Sequence, residues 1–177
     1  MDIAKISIGN NPPSDVNVIV EIPLRGDPVK YEVCKKSGAM FVDRFLHTAM
    51  SYPTNYGFIP HTLSEDGDPV DVMVVANHGV AVGSVLRARP IGVLLMEDEH
   101  GPDEKILAVP HPKLNPFYND VASYTDLPET LVKQIEHFFC HYKDLEEGKW
   151  VKVTGWGGPE VAGLKIEEAI KRASGQE

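Results

Sequence analysis

Cysteine is scarce in this 177-residue chain. Cys34 and Cys140 lack CxxC zinc spacing and are too few for a disulfide framework, so they read as reduced thiols of a cytosolic protein. Long apolar runs are missing as well. No stretch approaches the roughly 20 apolar residues that cross a bilayer. Met1 to Asn10 carries no hydrophobic segment of signal-peptide type, and the expectation is a soluble, cytoplasmic protein. Basic residues are in deficit, 17 against 26 acidic, for a net charge of −9. Without a basic patch interleaved with aromatics, the chain is poorly suited to nucleic acid or to an anionic membrane. No Gly-rich phosphate loop or base-stacking pocket is evident, which argues against a nucleotide hydrolase. Repeats, low-complexity tracts and interdomain linkers are also absent.

What remains suits one compact domain over residues 1–177: 42% of the chain is hydrophobic, enough to bury roughly 70% of the unfolded surface. Val16 to Ile22 reads as a strand ended by Pro23. Val29 to Cys34 alternates, placing Lys30 and Glu32 on one side of a strand. Met40 to Phe45 is a further short apolar run carrying Asp43 and Arg44. Tyr52 to Phe58 is rich in turn formers and aromatics. Val72 to Ala76, Val85 to Met96 (interrupted at Pro90) and Ile106 to Val109 read as strands, with an acidic turn over Glu97 to Asp103. Asp126 is placed to cap a helix from Leu127-Pro128 to about Leu145, whose Leu131, Ile135, Phe138, Phe139 and Tyr142 share a face. Trp150 to Trp156 forms a last strand. After Gly157-Gly158-Pro159 comes a short helix with Val161, Leu164 and Ile166 as its apolar face. Many short strands and few βα alternations predict a mainly β fold with flanking helices (α+β), a closed or partly closed antiparallel barrel.

The chemistry concentrates in Asp66-Gly67-Asp68-Pro69-Val70-Asp71. Three carboxylates within six positions repel one another unless a cation sits among their oxygens, which points to a hard divalent ion such as Mg²⁺. The bland alternative is a solvated acidic turn. An EF-hand needs ligands at positions 5 and 12 and Gly at 6, where this chain has Val70, Asn77 and Asp71. The D-x-D-x-[TV] loop of haloacid-dehalogenase phosphatases leaves a buried strand, whereas here Thr62-Leu63-Ser64-Glu65 precedes it. Asp98-Glu99 with Asp103 forms a second acidic group. Lys30, Arg44, Lys105 and Lys143 stand in polar or tyrosine-rich settings. Carboxylates that gather metal and cations that gather anionic oxygen together suggest an enzyme acting on phosphate.

With its neighbours included, the chain resembles the family I soluble inorganic pyrophosphatases in their bacterial form. The resemblance is carried by EIP at Glu21, KYEV at Lys30, FVDRFLHTAMSYPTNYGFIP from Phe41 and DGDPVDV at Asp66. MEDEHGPDEK from Met96 and HFFCHYKDLEEGKWVKVTGW from His137 complete it. These segments run from about Asn17 to Trp156, and residues after Gly157 resemble the family little. The resemblance implies hydrolysis of pyrophosphate to two phosphates with Mg²⁺, an OB-like five-stranded barrel and assembly as a homo-hexamer. It places metal-binding carboxylates on Glu32, Asp66, Asp71, Asp98 and Asp103, and the acceptor of the attacking water's proton on Asp68. Substrate-binding groups fall on Lys30, Arg44, Tyr56, Lys105, Tyr142 and Lys143, with Glu21, Tyr52 and Glu99 as further polar positions. Glu97 departs from the family's usual neutral residue and bears on metal affinity.

Pyrophosphate offers no apolar surface, so recognition must come from charge and hydrogen bonds. Arginine grips phosphoryl oxygens with paired donors, lysines act as point charges, and phenols donate neutral hydrogen bonds. His137 and His141, four apart on the helix, lack the HExxH pattern of a zinc pair, and the resemblance implies that they lie at a subunit contact. Trp150 and Trp156 read as packing residues, Phe138 and Phe139 as core or interface. Glu146-Glu147 and Glu167-Glu168 read as solvated helix charges.

Overall fold

The computed structural model describes residues 1–175. The strands are β1 Val16–Ile22, β2 Val29–Val33, β3 Met40–Phe45, β4 Asn55–Phe58, β5 Asp71–Val74, β6 Val85–Asp98, β7 Gly101–Pro102, β8 Lys105–Pro110 and β9 Val151–Gly157. The helices are α1 Glu129–His141 and α2 Pro159–Ala173.

Five strands form the expected barrel. β1 pairs β4, β4 pairs β5, β5 pairs β8, β8 pairs β6, and β6 returns to β1. Only the β5–β8 ladder of this ring is parallel. Strands β7 and β9 extend the sheet from β6, and β2–β3 is a separate hairpin. Successive residues of β5 and β8 enter different cores. Met73, Leu107 and Val109 meet the cluster that α1 covers with Ile135, Phe138 and Phe139. Val72, Val74, Ile106 and Ala108 meet the cluster that α2 covers with Ala162, Ile166 and Ala169. Both faces are buried, so these strands read as continuous apolar runs without polar alternation. At Gly57 a Cβ would lie 1.9 Å from the Ile19 carbonyl oxygen, so β1 and β4 can approach this closely only at glycine.

Several elements differ from the sequence-based expectation. Pro90 does not interrupt β6; the strand continues through a bulge between Pro90 and Gly92, where a residue without an N–H fits. Within the expected turn region, Asn55–Phe58 is a fully buried strand. Asn55 anchors it by accepting from the Leu24 and Val80 N–H groups and donating to the His78 carbonyl. Asp126 does not cap α1. It lies in a 3-10 turn, accepting from the Ala122 and Ser123 N–H groups, and α1 starts later and ends sooner than expected. On α2 the buried stripe is Ala162, Ile166 and Ala169, while Val161 and Leu164 are exposed. Trp150 is exposed, whereas Trp156 stacks on Tyr124.

Candidate active site

A cleft of about 660 Å³ opens between one rim of the ring, the β2–β3 hairpin and the segment after α1, and every sequence-predicted site residue lines it. The register of the strands explains much of this. Val72 lies beside Ile106 in the parallel β5–β8 ladder, so the preceding residues, Asp71 and Lys105, stand side by side. Lys105 Nζ lies 2.7 Å from Asp71 Oδ2 and 2.5 Å from Asp103 Oδ1. In the hairpin Lys30 faces Arg44 across the strands. Asp43 sits at the adjoining bulge, 3.2 Å from Lys30 and 3.4 Å from Arg44. Glu32 joins them in the cleft.

The acidic loop has a stiff base. The buried Thr62 hydroxyl donates to the Ile59 carbonyl and accepts the Val70 N–H. Above it, Gly67 takes φ 92°, a left-handed conformation that glycine adopts without a steric penalty. Asp68 N–H then donates to Asp66 Oδ1 at 3.0 Å.

Tyrosines Tyr52, Tyr56 and Tyr142 are held by an aromatic cluster with Phe138 and Phe139 on α1. Burial pushes all three phenols above their ordinary pKa, so they stay protonated and can donate hydrogen bonds. Lys105 lies 5.7 Å from the Tyr56 ring centre, and Lys143 the same distance from Tyr142. Burial alone would favour neutral Lys105, but Asp71 and Asp103 outweigh it and raise its pKa, keeping it charged. Burial would likewise raise Asp98, yet the Lys143 ammonium at 2.7 Å and the His100 N–H bring it below the usual carboxylate range. Glu99 lies 3.5 Å from Lys143.

Sequence reasoning missed Lys35, whose ammonium sits 2.7 Å from Asp68 at the cleft mouth. Glu146 is also corrected. It is buried, 3.2 Å from the Arg44 Nε and 2.6 Å from Lys149. The Arg44 contact lacks hydrogen-bond alignment and is an ion pair only. Both links join positions far apart in the chain, so no local pattern announces them. Glu97 is matched by Lys152 opposite it on β9, at 2.9 Å. Asp98 lies inside β6, not in a turn.

Among the described residues, no three acidic, histidine or cysteine side chains converge tightly enough to ligate one ion. The five expected metal carboxylates share the cleft without forming one cluster, and lysines answer part of their charge. The donor set nevertheless fits a hard cation, being oxygen throughout. Nine carboxylates against six basic side chains line the cleft. Desolvation first, then the charges of Asp103, Asp71 and Asp68, raise the Asp66 pKa against the Asp68 N–H bond, which lowers it. His137 and His141 have ring centres 4.6 Å apart, and His141 Nδ1 lies 2.7 Å from Asp144.

A family profile described as inorganic pyrophosphatase matches residues 18–174, so the similarity extends through α2 and not only to Trp156. The inorganic pyrophosphatase of Rhodospirillum rubrum is 68% identical, over 96% of this chain and 95% of its own length. That of Brucella melitensis is 60% identical, over 99% and 100%. A solved structure of an inorganic phosphatase from Anaplasma phagocytophilum superposes with a TM-score of 0.94 at 49% identity, covering 96% of this chain and 99% of that one. The inorganic pyrophosphatase from Thermus thermophilus gives 0.92 at 39%, covering 98% and 99%.

Proposed function

The chain belongs to the family I inorganic pyrophosphatases of bacterial type, and from that premise we propose that its cleft hydrolyses inorganic pyrophosphate to two orthophosphates, with Mg²⁺ as cofactor and Asp68 as general base. The observation that carries this reading is the gathering of nine carboxylates with six basic groups and buried phenols in one small, strongly polar cavity. A polyanion without apolar surface is held by such donors, and a carboxylate surplus calls for divalent cations.

Glu32, Asp66, Asp71, Asp98 and Asp103 are the residues that would hold Mg²⁺. When bound, the ion supplies positive charge beside the phosphoryl oxygens and makes water more acidic. Lys30 and Arg44 reach in from the hairpin, Lys105 from β8 and Lys143 from the segment after α1. They bind phosphoryl oxygens and hold the substrate in line for attack. Tyr56 and Tyr142 donate neutral hydrogen bonds. Asp68 is an open carboxylate, with a side chain 66% exposed, so it can reach a water and take its proton. As the new P–O bond forms, the bridging P–O bond breaks and its electron pair leaves with the departing phosphate.

Cytoplasmic residence and homo-hexameric assembly belong to the same proposal. Exposed Phe41, Val42, Phe45 and Leu145, and the paired histidines of α1, are suited to subunit contacts. No helix among the described residues is long and apolar enough to cross a membrane. The test is phosphate release from pyrophosphate and from ATP, each with Mg²⁺ and with chelator. Turnover is expected for pyrophosphate with Mg²⁺; no Mg²⁺-stimulated cleavage of it refutes the reading, and preference for ATP reassigns the substrate.

A further inference from the structure

Helix α2 contributes no side chain to the cleft lining. Its polar contacts nonetheless end on both acidic segments of the cleft, at Leu63, Glu65 and Glu104. Lys165 and Arg172 are seven residues apart, two turns along one face of the helix. Lys165 Nζ lies 2.6 Å from Glu104 Oε1, and Glu104 stands between Asp103 and Lys105. Arg172 donates to the Leu63 carbonyl at 2.5 Å, and its guanidinium lies 4.0 Å from Glu65. The Leu63 N–H in turn donates to the Ala169 carbonyl at 3.0 Å. Leu63 is the shoulder of the loop that carries Asp66 and Asp68.

The loop tip is bonded mainly to itself: Ser64 N–H to the Asp68 carbonyl, Gly67 N–H to the Ser64 carbonyl, and Asp68 N–H to Asp66. Its direction therefore depends on the base at Thr62 and Val70, the Lys35 contact and the shoulder bonds to α2. Mutual repulsion of the Asp66, Asp68, Asp71 and Asp103 carboxylates pushes the tip away from Asp103, and the shoulder bonds oppose that push.

We infer that α2 is a brace holding the Asp66–Asp68 loop at a fixed distance from the Asp103–Lys105 segment, with Arg172 and Lys165 as positioning residues. The inference rests on the pyrophosphatase reading, in which Asp66 and Asp103 hold the same class of cation. Partners behind the ligands of a metal govern its affinity by about 10- to 100-fold, which sets the effect expected here.

The test uses the full chain with Arg172→Ala, Arg172→Lys and Lys165→Ala, and exposed Lys171→Ala on the same helix as control. Mg²⁺ affinity is measured by calorimetry without substrate, beside kcat and KM. Arg172→Ala is expected to weaken Mg²⁺ binding about tenfold. It should also raise the Mg²⁺ requirement for turnover, leaving KM for pyrophosphate at saturating Mg²⁺ near wild type. Arg172→Lys, which keeps a donor for the Leu63 carbonyl, should recover most of the affinity, and Lys171→Ala should match wild type. A folded Arg172→Ala with unchanged Mg²⁺ affinity overturns the brace, as does equal weakening by Lys171→Ala. If Arg172→Ala does not fold, Lys165→Ala decides: weakened Mg²⁺ binding supports the brace and unchanged binding overturns it. Wild-type protein that fails to cleave pyrophosphate with Mg²⁺ sinks the parent reading instead, a distinguishable result.

Discussion

Replacing Glu21 with glutamine should stabilise the metal-free protein by an amount that grows as pH rises from about 4.5 and is full above about pH 7. Glu21 lies near the end of β1, 8% exposed, and accepts the Val33 N–H at 2.8 Å. Burial, reinforced by the charges of Asp71 and Glu32, pushes its pKa from 4.5 up to about 7. Between those values the folded state binds more protons than the unfolded state, so stability falls as pH rises across that window. The loss is complete above pH 7. At 1.36 kcal/mol per pKa unit, it amounts to about 3 kcal/mol. Glutamine has the same shape, keeps an acceptor for Val33 and carries no charge to bury. Urea denaturation in chelator, at one protomer concentration, measures the difference. Glu21→Gln should exceed wild type by about 3 kcal/mol at pH 8 and by less than about 1 kcal/mol at pH 5. A difference independent of pH, or a less stable variant at pH 8, refutes the assignment of Glu21 as a buried, strained carboxylate.

Asp68→Asn should lower turnover by about 10²- to 10⁴-fold while calorimetric Mg²⁺ binding survives; near-normal turnover removes Asp68 from the base role. Lys105→Met strands Asp71 and Asp103 beside each other and should cost about 3–5 kcal/mol of stability in chelator. Mg²⁺ should return part of that in the same denaturation assay, and a loss under about 1 kcal/mol contradicts the ion-pair account. Histidine changes charge between pH 5 and pH 8, so sedimentation at those two values should show different assembly states if His137 and His141 lie at a subunit contact. An unchanged oligomer dismisses it.

How much of this was legible in the sequence depended on the range of the interaction that decides it. Strands β1, β2 and β8 were readable because period-two and continuous apolar runs are local signals. Candidate site residues were named through family motifs, and Glu32, Asp66, Asp71, Asp98 and Asp103 line one cleft with the predicted cations. Lys35 and Glu146 were not, since their partners Asp68 and Arg44 are distant in sequence and meet only through tertiary register. The α2 stripe was misplaced because valine and leucine outrank alanine in hydrophobicity, yet the helix buries Ala162 and Ala169 against the ring. Asp126 shows the limit of capping rules: its carboxylate satisfies a neighbouring turn, which competes for the same acceptor.

A ring of strands has no outermost member, so it cannot fray from an edge. Deuterium should enter the amides of β4 and β5 late, whereas those of the β2–β3 hairpin, a separate two-stranded sheet tied to β1 through the Val33 bond to Glu21, should exchange earlier. Lys30 and Arg44, proposed to bind substrate, and Glu32, proposed to hold the metal, ride on that hairpin. Part of the proposed chemistry thus stands outside the closed ring, and substitutions at the hairpin's exposed positions can retune catalysis without opening the barrel.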